Sequence, residues 1–247
     1  DFAGATVVHS VGGWVALAAV LVIGPRQGRF FDNRDRAFDG ANLALSAGGG
    51  LMLWIGWMGF NGGSVLTFDP AVGPVLLVTL IGGAAGGASA ALLSAIRDGR
   101  VPPMTLCNGV IAAGAALAMV AAHVLERWRI DDPVGAVPAH LSAGILGTLA
   151  VAFLLPVGDI WRQLGVQALG VLVAGLWSFP LAYAGLRLVD RLVPLRVPLE
   201  AESIGLSLAE HGSASAMTEL VEAMERQRRS GDFSERVPVR LGDEAGL

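Results

Sequence analysis

Three short stretches carry side chains able to do chemistry inside otherwise apolar sequence. They are "DFAGATVVHS" at the start, "WIGWMGFNGGS" at 54–64 and "RIDDPVGAVPAHLSAG" at 129–144. The first sets Asp1 and His9 on an apolar segment. An ionisable group in hydrocarbon is expensive and by default faces a bundle interior or a pathway. An imidazole there offers a donor or an acceptor, and a facing pair can pass a proton across. The second stretch ends an apolar segment with Trp57, Phe60, Asn61 and Ser64, and the third brings His140 just inside another, after Asp131 and Asp132. Taken singly, each admits an ordinary structural role. Asp1 is a favoured helix cap, and either histidine could be satisfied by a neighbouring helix. Trp57 and Phe60 suit an interfacial belt, and the paired aspartates suit the start of a helix.

The elements that must position these residues are membrane helices. The chain of 247 residues is 53% hydrophobic and 15% charged, against roughly 25% charged in a soluble domain. Runs such as "VGPVLLVTLIGGAAGGASAALLSAI" exceed the ~20 residues that cross a bilayer. They recur along the chain, so a secretory signal cannot explain them. The reading is an all-α polytopic membrane protein with six apolar segments at about 2–24, 40–60, 72–96, 104–126, 139–156 and 163–189. Its 34 glycines permit close helix contact where no hydrophobic effect drives association. Every basic residue is an arginine, the lone Cys107 excludes an internal disulfide, and a net charge of −4 gives no reason to invoke nucleic acid.

The loop 25–39 holds four arginines and 61–73 none, so the former is expected in the cytoplasm and the latter outside. "RDGRVPP" and "ERWRIDDP" both look cytoplasmic, yet one apolar segment separates them. Either the rule fails there or a crossing is missing. Beyond about 197 the chain turns polar. Met217, Leu220, Val221 and Met224 form a narrow apolar stripe at helical spacing, as in a linker helix or a two-stranded coil.

Together the motifs resemble the ammonium transporter family, related to the Rhesus proteins. "DFAGATVVH" is similar to its first pore-histidine helix, "GWMGFNGGS" to its gate helix and "RIDDPVGAVPAH" to the approach to its second pore histidine. "GVQALGVLVAGLWSF" resembles its last membrane helix, and "RVPLEAESIGLSLAEHG" its cytoplasmic C-terminal region. The resemblance implies that His9 and His140 are twin histidines bridging the centre of a hydrophobic pore. It makes Phe60 an outer gate, Ser64 a hydroxyl for ammonium recruitment, and Asp1 a buried acid near that vestibule. Trp57 and Asn61 carry over as support beside the pore. Ammonium or ammonia would be the substrate, with no cofactor, metal or enzymatic activity. A homotrimer in the inner (plasma) membrane is implied, with a cytoplasmic C-terminus. His123 reads as interfacial, and His211 has no catalytic partners in view.

Two departures stand out. The family has eleven membrane helices with the first pore histidine on the fifth, so four helices are expected upstream of Asp1. Parts of helices eight and nine also look absent between "TLCNGVIA" and "AGAALAMVAAHVLERW", which accounts for the conflict of sides. The domains are then 1–196 for the membrane part, 197–212 for its cytoplasmic C-terminal region, and 213–247 for a linker whose "GDFSERVPVRLGDEAGL" resembles the start of a HAMP-like signalling segment. The tail's partner would be a fused signalling module or a PII-type regulator. Two functions remain open: transport through a twin-histidine pore, or sensing of ammonium with little flux to drive a kinase or cyclase.

Overall fold

A computed structural model describes residues 2–30, 38, 42–112, 115–154, 158–212 and 224. Asp1 and, apart from Met224, the HAMP-like segment 213–247 lie outside the described residues. The described residues form helices throughout: α1 (Ala5–Ile23), α2 (Leu43–Gly63), α3 (Val72–Asp98), α4 (Pro103–Ala112), α5 (Ala115–Arg127), α6 (Val137–Leu154), α7 (Ile160–Leu192), α8 (Leu199–Ile204) and α9 (Leu206–His211). The chain divides into two compact units, 1–195 and 196–247.

Polar residues set the helix limits, and apolar ones fill the spans. Asn42 caps α2 by accepting from the Leu45 N–H, and Asp159 caps α7 by accepting from Trp161 and Arg162. Gly99, at φ 66°, closes α3 in the left-handed conformation that glycine tolerates. Among the described residues, five helices, α1, α2, α3, α6 and α7, are long and apolar enough to cross a membrane. α4 and α5 together occupy the sixth apolar run, 104–126, and residues 113 and 114 between them lie outside the described residues.

In the first unit α1 packs on α6 and α7, while α3 packs on α2, α4 and α5. Small residues set the contact distances. A Cβ at Gly175 of α7 would lie 2.9 Å from the Trp14 ring of α1, and one at Gly83 of α3 would overlap the Trp54 indole. Leu125, Val137 and Leu141 form a small core with Trp14, Leu17 and Ile145 around it. Much of the remaining apolar surface faces outward, with Leu51, Met52, Ile55, Leu172, Leu176 and Trp177 all exposed, as a bilayer-embedded bundle requires.

The loops after α1 and before α6 are locked together by charge. Asp131, 5% exposed, accepts from Arg26 three times: from Nε at 2.7 Å, the second guanidinium nitrogen at 2.8 Å and the backbone N–H at 3.0 Å. Arg29, also buried, reaches Asp131 at 3.6 Å and Glu126 at 3.1 Å. Burial alone raises the Asp131 carboxyl, but the Arg26 hydrogen bonds and the charges of Arg26 and Arg29 outweigh it, holding its pKa below the usual value. A folded-state value below the unfolded one, about 3.9, stabilises the fold above that pH. The contribution disappears as pH falls through the folded value. Asp131→Asn should therefore cost on the order of 2–3 kcal/mol at neutral pH. Apparent Tm in detergent should also fall less steeply below about pH 4 in the variant than in the wild type. Parallel acid profiles would refute the clamp.

Candidate functional site

Both histidines lie on widened helical turns. α1 opens with a π-helical stretch, Ala5–Ser10, and α6 with another, Val137–Ser142. Gly4, at φ 81°, begins the first, and its carbonyl accepts from both Val8 (3.0 Å) and His9 (2.9 Å). Gly135, at φ 72°, precedes the second, in which Pro138 removes a backbone donor. Asp132 caps this end, accepting from Ala136 at 3.1 Å and Val137 at 2.7 Å. Such π-turns are frequent at functional sites, where one extra residue re-aims a side chain.

The two turns pack reciprocally. A Cβ on Gly13 would lie 2.5 Å from the Leu141 backbone N of α6, and one on Gly144 would overlap the Ala5 carbonyl of α1. The buried hydroxyls of Thr6 and Thr148 pair across the same crossing. The crossing brings His9 and His140, 131 positions apart, to 3.3 Å between their Nδ1 atoms, with ring planes parallel within 4°. For that contact to be a hydrogen bond, one Nδ1 must carry the proton and the other must accept.

α2 supplies the wall. Trp57 and Phe60 meet the His9 ring edge-on, at centroid distances of 6.4 and 5.9 Å. Asn61 donates from Nδ2 to the Thr79 hydroxyl at 2.9 Å, and Thr79 donates its own proton to the Val75 carbonyl at 2.8 Å. Because Thr79 has one proton and spends it there, the amide nitrogen must face Thr79, which leaves Oδ1 as Asn61's acceptor. His9, Trp57, Asn61 and Thr148 line a cavity of about 320 Å³. His140, Trp57, Phe60, Cys107 and Asn108 line a larger groove of about 890 Å³.

The structure thus brings His9, His140, Trp57, Phe60 and Asn61 together. Ser64 stands at the C-terminal cap of α2, one turn beyond Phe60, and lines neither cavity. Its hydroxyl donates to the Phe60 carbonyl at 2.8 Å, which leaves the oxygen as an acceptor. Sequence reasoning missed Thr6, Thr148, Thr79, Gly13 and Gly144. One signal could have found the glycines: Asp-x2-Gly-x4-His-x3-Gly occurs twice, at 1–13 and at 132–144.

A model of the ammonium transporter family matches residues 1–128 and 113–216, and the two matches meet at α5. A Synechocystis protein bearing the name of an ammonium transporter is 39% identical over 275 residues, covering 100% of this chain and 51% of its own length. Ammonium transporter Amt2 of Archaeoglobus fulgidus is 32% identical, covering 87% of this chain and 54% of its own. This chain therefore spans about half the length of these curated relatives. Among solved structures, one named a sensor Amt protein superposes with a TM-score of 0.80 at 36% identity, covering 85% of this chain and 60% of its own. Candida albicans Mep2, at 23% identity and a TM-score of 0.72, shares the fold.

The crossing makes a sharp prediction from adjacent glycines. A Cβ at Gly12 meets nothing within 4 Å, whereas one at Gly13 strikes Leu141. Gly12→Ala should be neutral or stabilising by up to about 1 kcal/mol. Gly13→Ala should cost about 1–3 kcal/mol through overpacking. Apparent Tm in detergent reads both, and equal effects would contradict the close crossing.

Proposed function

This chain belongs to the ammonium transporter family, and from that premise we propose that its protein moves ammonium nitrogen across a membrane as ammonia, along the histidine pair. The observation that carries the reading is the His9–His140 contact, 3.3 Å between ring nitrogens and walled by Trp57 and Phe60. Aromatic faces and oxygen acceptors recruit a cation at the outer mouth, where cation–π attraction contributes roughly 1–2 kcal/mol. Carrying the bare ion through hydrocarbon would cost far more, tens of kcal/mol in the idealised limit. Shedding the proton removes most of that cost, and the facing imidazoles pass the separated proton inward, so that charge crosses with the ammonia. Neutral ammonia then needs a donor and an acceptor on the way, and an imidazole pair of opposite tautomers supplies both.

In this reading Phe60 and Ser64 belong to the outer mouth, with Asp1 supporting the cation there. Asn61 Oδ1 is an acceptor on the way in, fixed by Thr79. The protein is a homotrimer of the inner (plasma) membrane, with 25–39 and the tail after 190 cytoplasmic and 61–73 external. A second reading is favoured by the similarity to a structure named a sensor Amt protein and by the signalling-like sequence of 213–247. Ammonium would then bind at the mouth and bias a kinase or cyclase module, or a PII-type regulator, at the tail.

The two readings part on the histidines. In the intact gene product, His9→Ala and His140→Ala should abolish or alter ammonium-evoked current in liposomes if the pair conducts. A sensor should keep its ammonium-dependent output in both variants, because recruitment needs the mouth and not the bore. Ser64→Ala should weaken either activity by on the order of 1 kcal/mol. A wild type that switches an output without carrying current would replace transport with sensing. A wild type deaf to ammonium in both assays would end both readings.

A further inference from the structure

The turn that delivers His140 has a gap in its own hydrogen bonding. Asp132 accepts from Ala136 and Val137, and the Gly135 carbonyl accepts from the Ala139 N–H at 3.0 Å. By the same four-residue step the Val134 carbonyl would accept from position 138, but Pro138 has no N–H. A carbonyl beside an apolar groove then needs a donor from elsewhere. Asn108 of α4 supplies it, donating from Nδ2 to the Val134 carbonyl at 3.4 Å. The partner dictates nitrogen over oxygen at that end of the amide, since a carbonyl only accepts. Gly135 makes room for the contact: at φ 72°, a Cβ there would lie 2.5 Å from Asn108 Nδ2.

α4 gives that reach a firm base. A Cβ on Gly109, the next residue, would overlap Ala90 of α3 and lie 2.9 Å from the Gly86 carbonyl. On the other side a Cβ on Gly50 of α2 would lie 3.1 Å from the Cys107 sulfur. Ile111, one turn beyond Asn108, packs on the buried pair Ala118 and Ala139, and Ala139 directly precedes His140. Asn108 also shares the wall of the large groove with His140, Trp57 and Phe60.

We propose that Asn108 is a positioning residue for His140. By donating to the carbonyl that Pro138 leaves open, it holds the π-turn that swings His140 to within 3.3 Å of His9. This rests on the transport reading above. A proton passes between the rings only at hydrogen-bond distance, and a displacement of about 1 Å breaks that geometry. Neutral ammonia makes no such demand, because a groove wall that shifts slightly still lets it pass. Loss of the Asn108 donor therefore removes charge movement in preference to movement of the amine.

The test uses the intact gene product in liposomes with methylammonium as the probe, measuring evoked current and uptake of the labelled amine on one preparation. Asn108→Leu keeps the volume of the side chain and removes its donor. Asn108→Ala removes both and is well tolerated by a helix, so it carries the test if the leucine variant does not fold. Either variant should lower the current about three- to tenfold with a smaller loss of uptake, so that charge moved per methylammonium falls. Equal losses of current and uptake would mark a merely structural role and overturn the proposal. An unchanged ratio with unchanged rates overturns it too, as does failure of both variants to give a wild-type size-exclusion profile. A wild type without evoked current removes the transport reading itself, and that outcome is distinguishable because it appears before any substitution.

Discussion

The site depends on the crossing of α1 and α6, where Gly13 and Gly144 let two backbones approach until a methyl group no longer fits. In a bilayer no hydrophobic effect pulls helices together, so close approach through small residues and interhelical hydrogen bonds must supply the association. The Thr6–Thr148 hydroxyl pair is one such bond, buried at the crossing. The histidines follow from this geometry. Each lies four positions before one of the crossing glycines, and each is swung by a π-turn toward the other. Irregular backbone at membrane depth is tolerated only where it is buried in protein or lines a cavity, and these two turns satisfy both conditions.

The rest of the first unit holds that crossing from outside. Asp131 ties the loop leaving α1 to the loop entering α6, and Asp132, its neighbour, closes the first turn of α6. Two adjacent aspartates thus do different work, one pairing with arginine and one capping a helix. α2 contributes in another way. It packs on α3 and α4 and reaches His9 through Trp57 and Phe60, so rings meet across the space where backbones do not. That separation makes room for the cavities on either side of the histidine pair.

The motifs around His9, Phe60 and His140 were legible in the sequence because an ionisable or aromatic cluster in apolar surroundings is rare enough to stand out. The division of labour between Asp131 and Asp132 was not, because either could serve as an N-terminal charge until the arginines of a distant loop are in position. Thr79 was invisible for a different cause: its importance lies in fixing the amide of Asn61, a relation between helices that no spacing within one helix encodes.

Three hydroxyls near the site share one arrangement, which the Thr6–Thr148 pair at the crossing does not. Ser64 donates to the Phe60 carbonyl, Thr79 to Val75 and Ser142 to Pro138, in each case four residues back along the same helix. Each hydroxyl proton is thereby committed to backbone, and what remains is an oxygen that accepts. Asn61, its nitrogen turned to Thr79, likewise keeps its acceptor. Acceptors of this kind, at Asn61 beside the cavity and at Ser64 beyond it, suit a guest that only donates, which describes ammonium. The histidine pair differs, because two imidazoles of opposite tautomer present a donor as well as an acceptor. Ammonia, with three N–H bonds and a lone pair, needs that combination. Under the transport reading, the change from the acceptors of Ser64 and Asn61 to an imidazole pair marks where along the path the guest loses its proton.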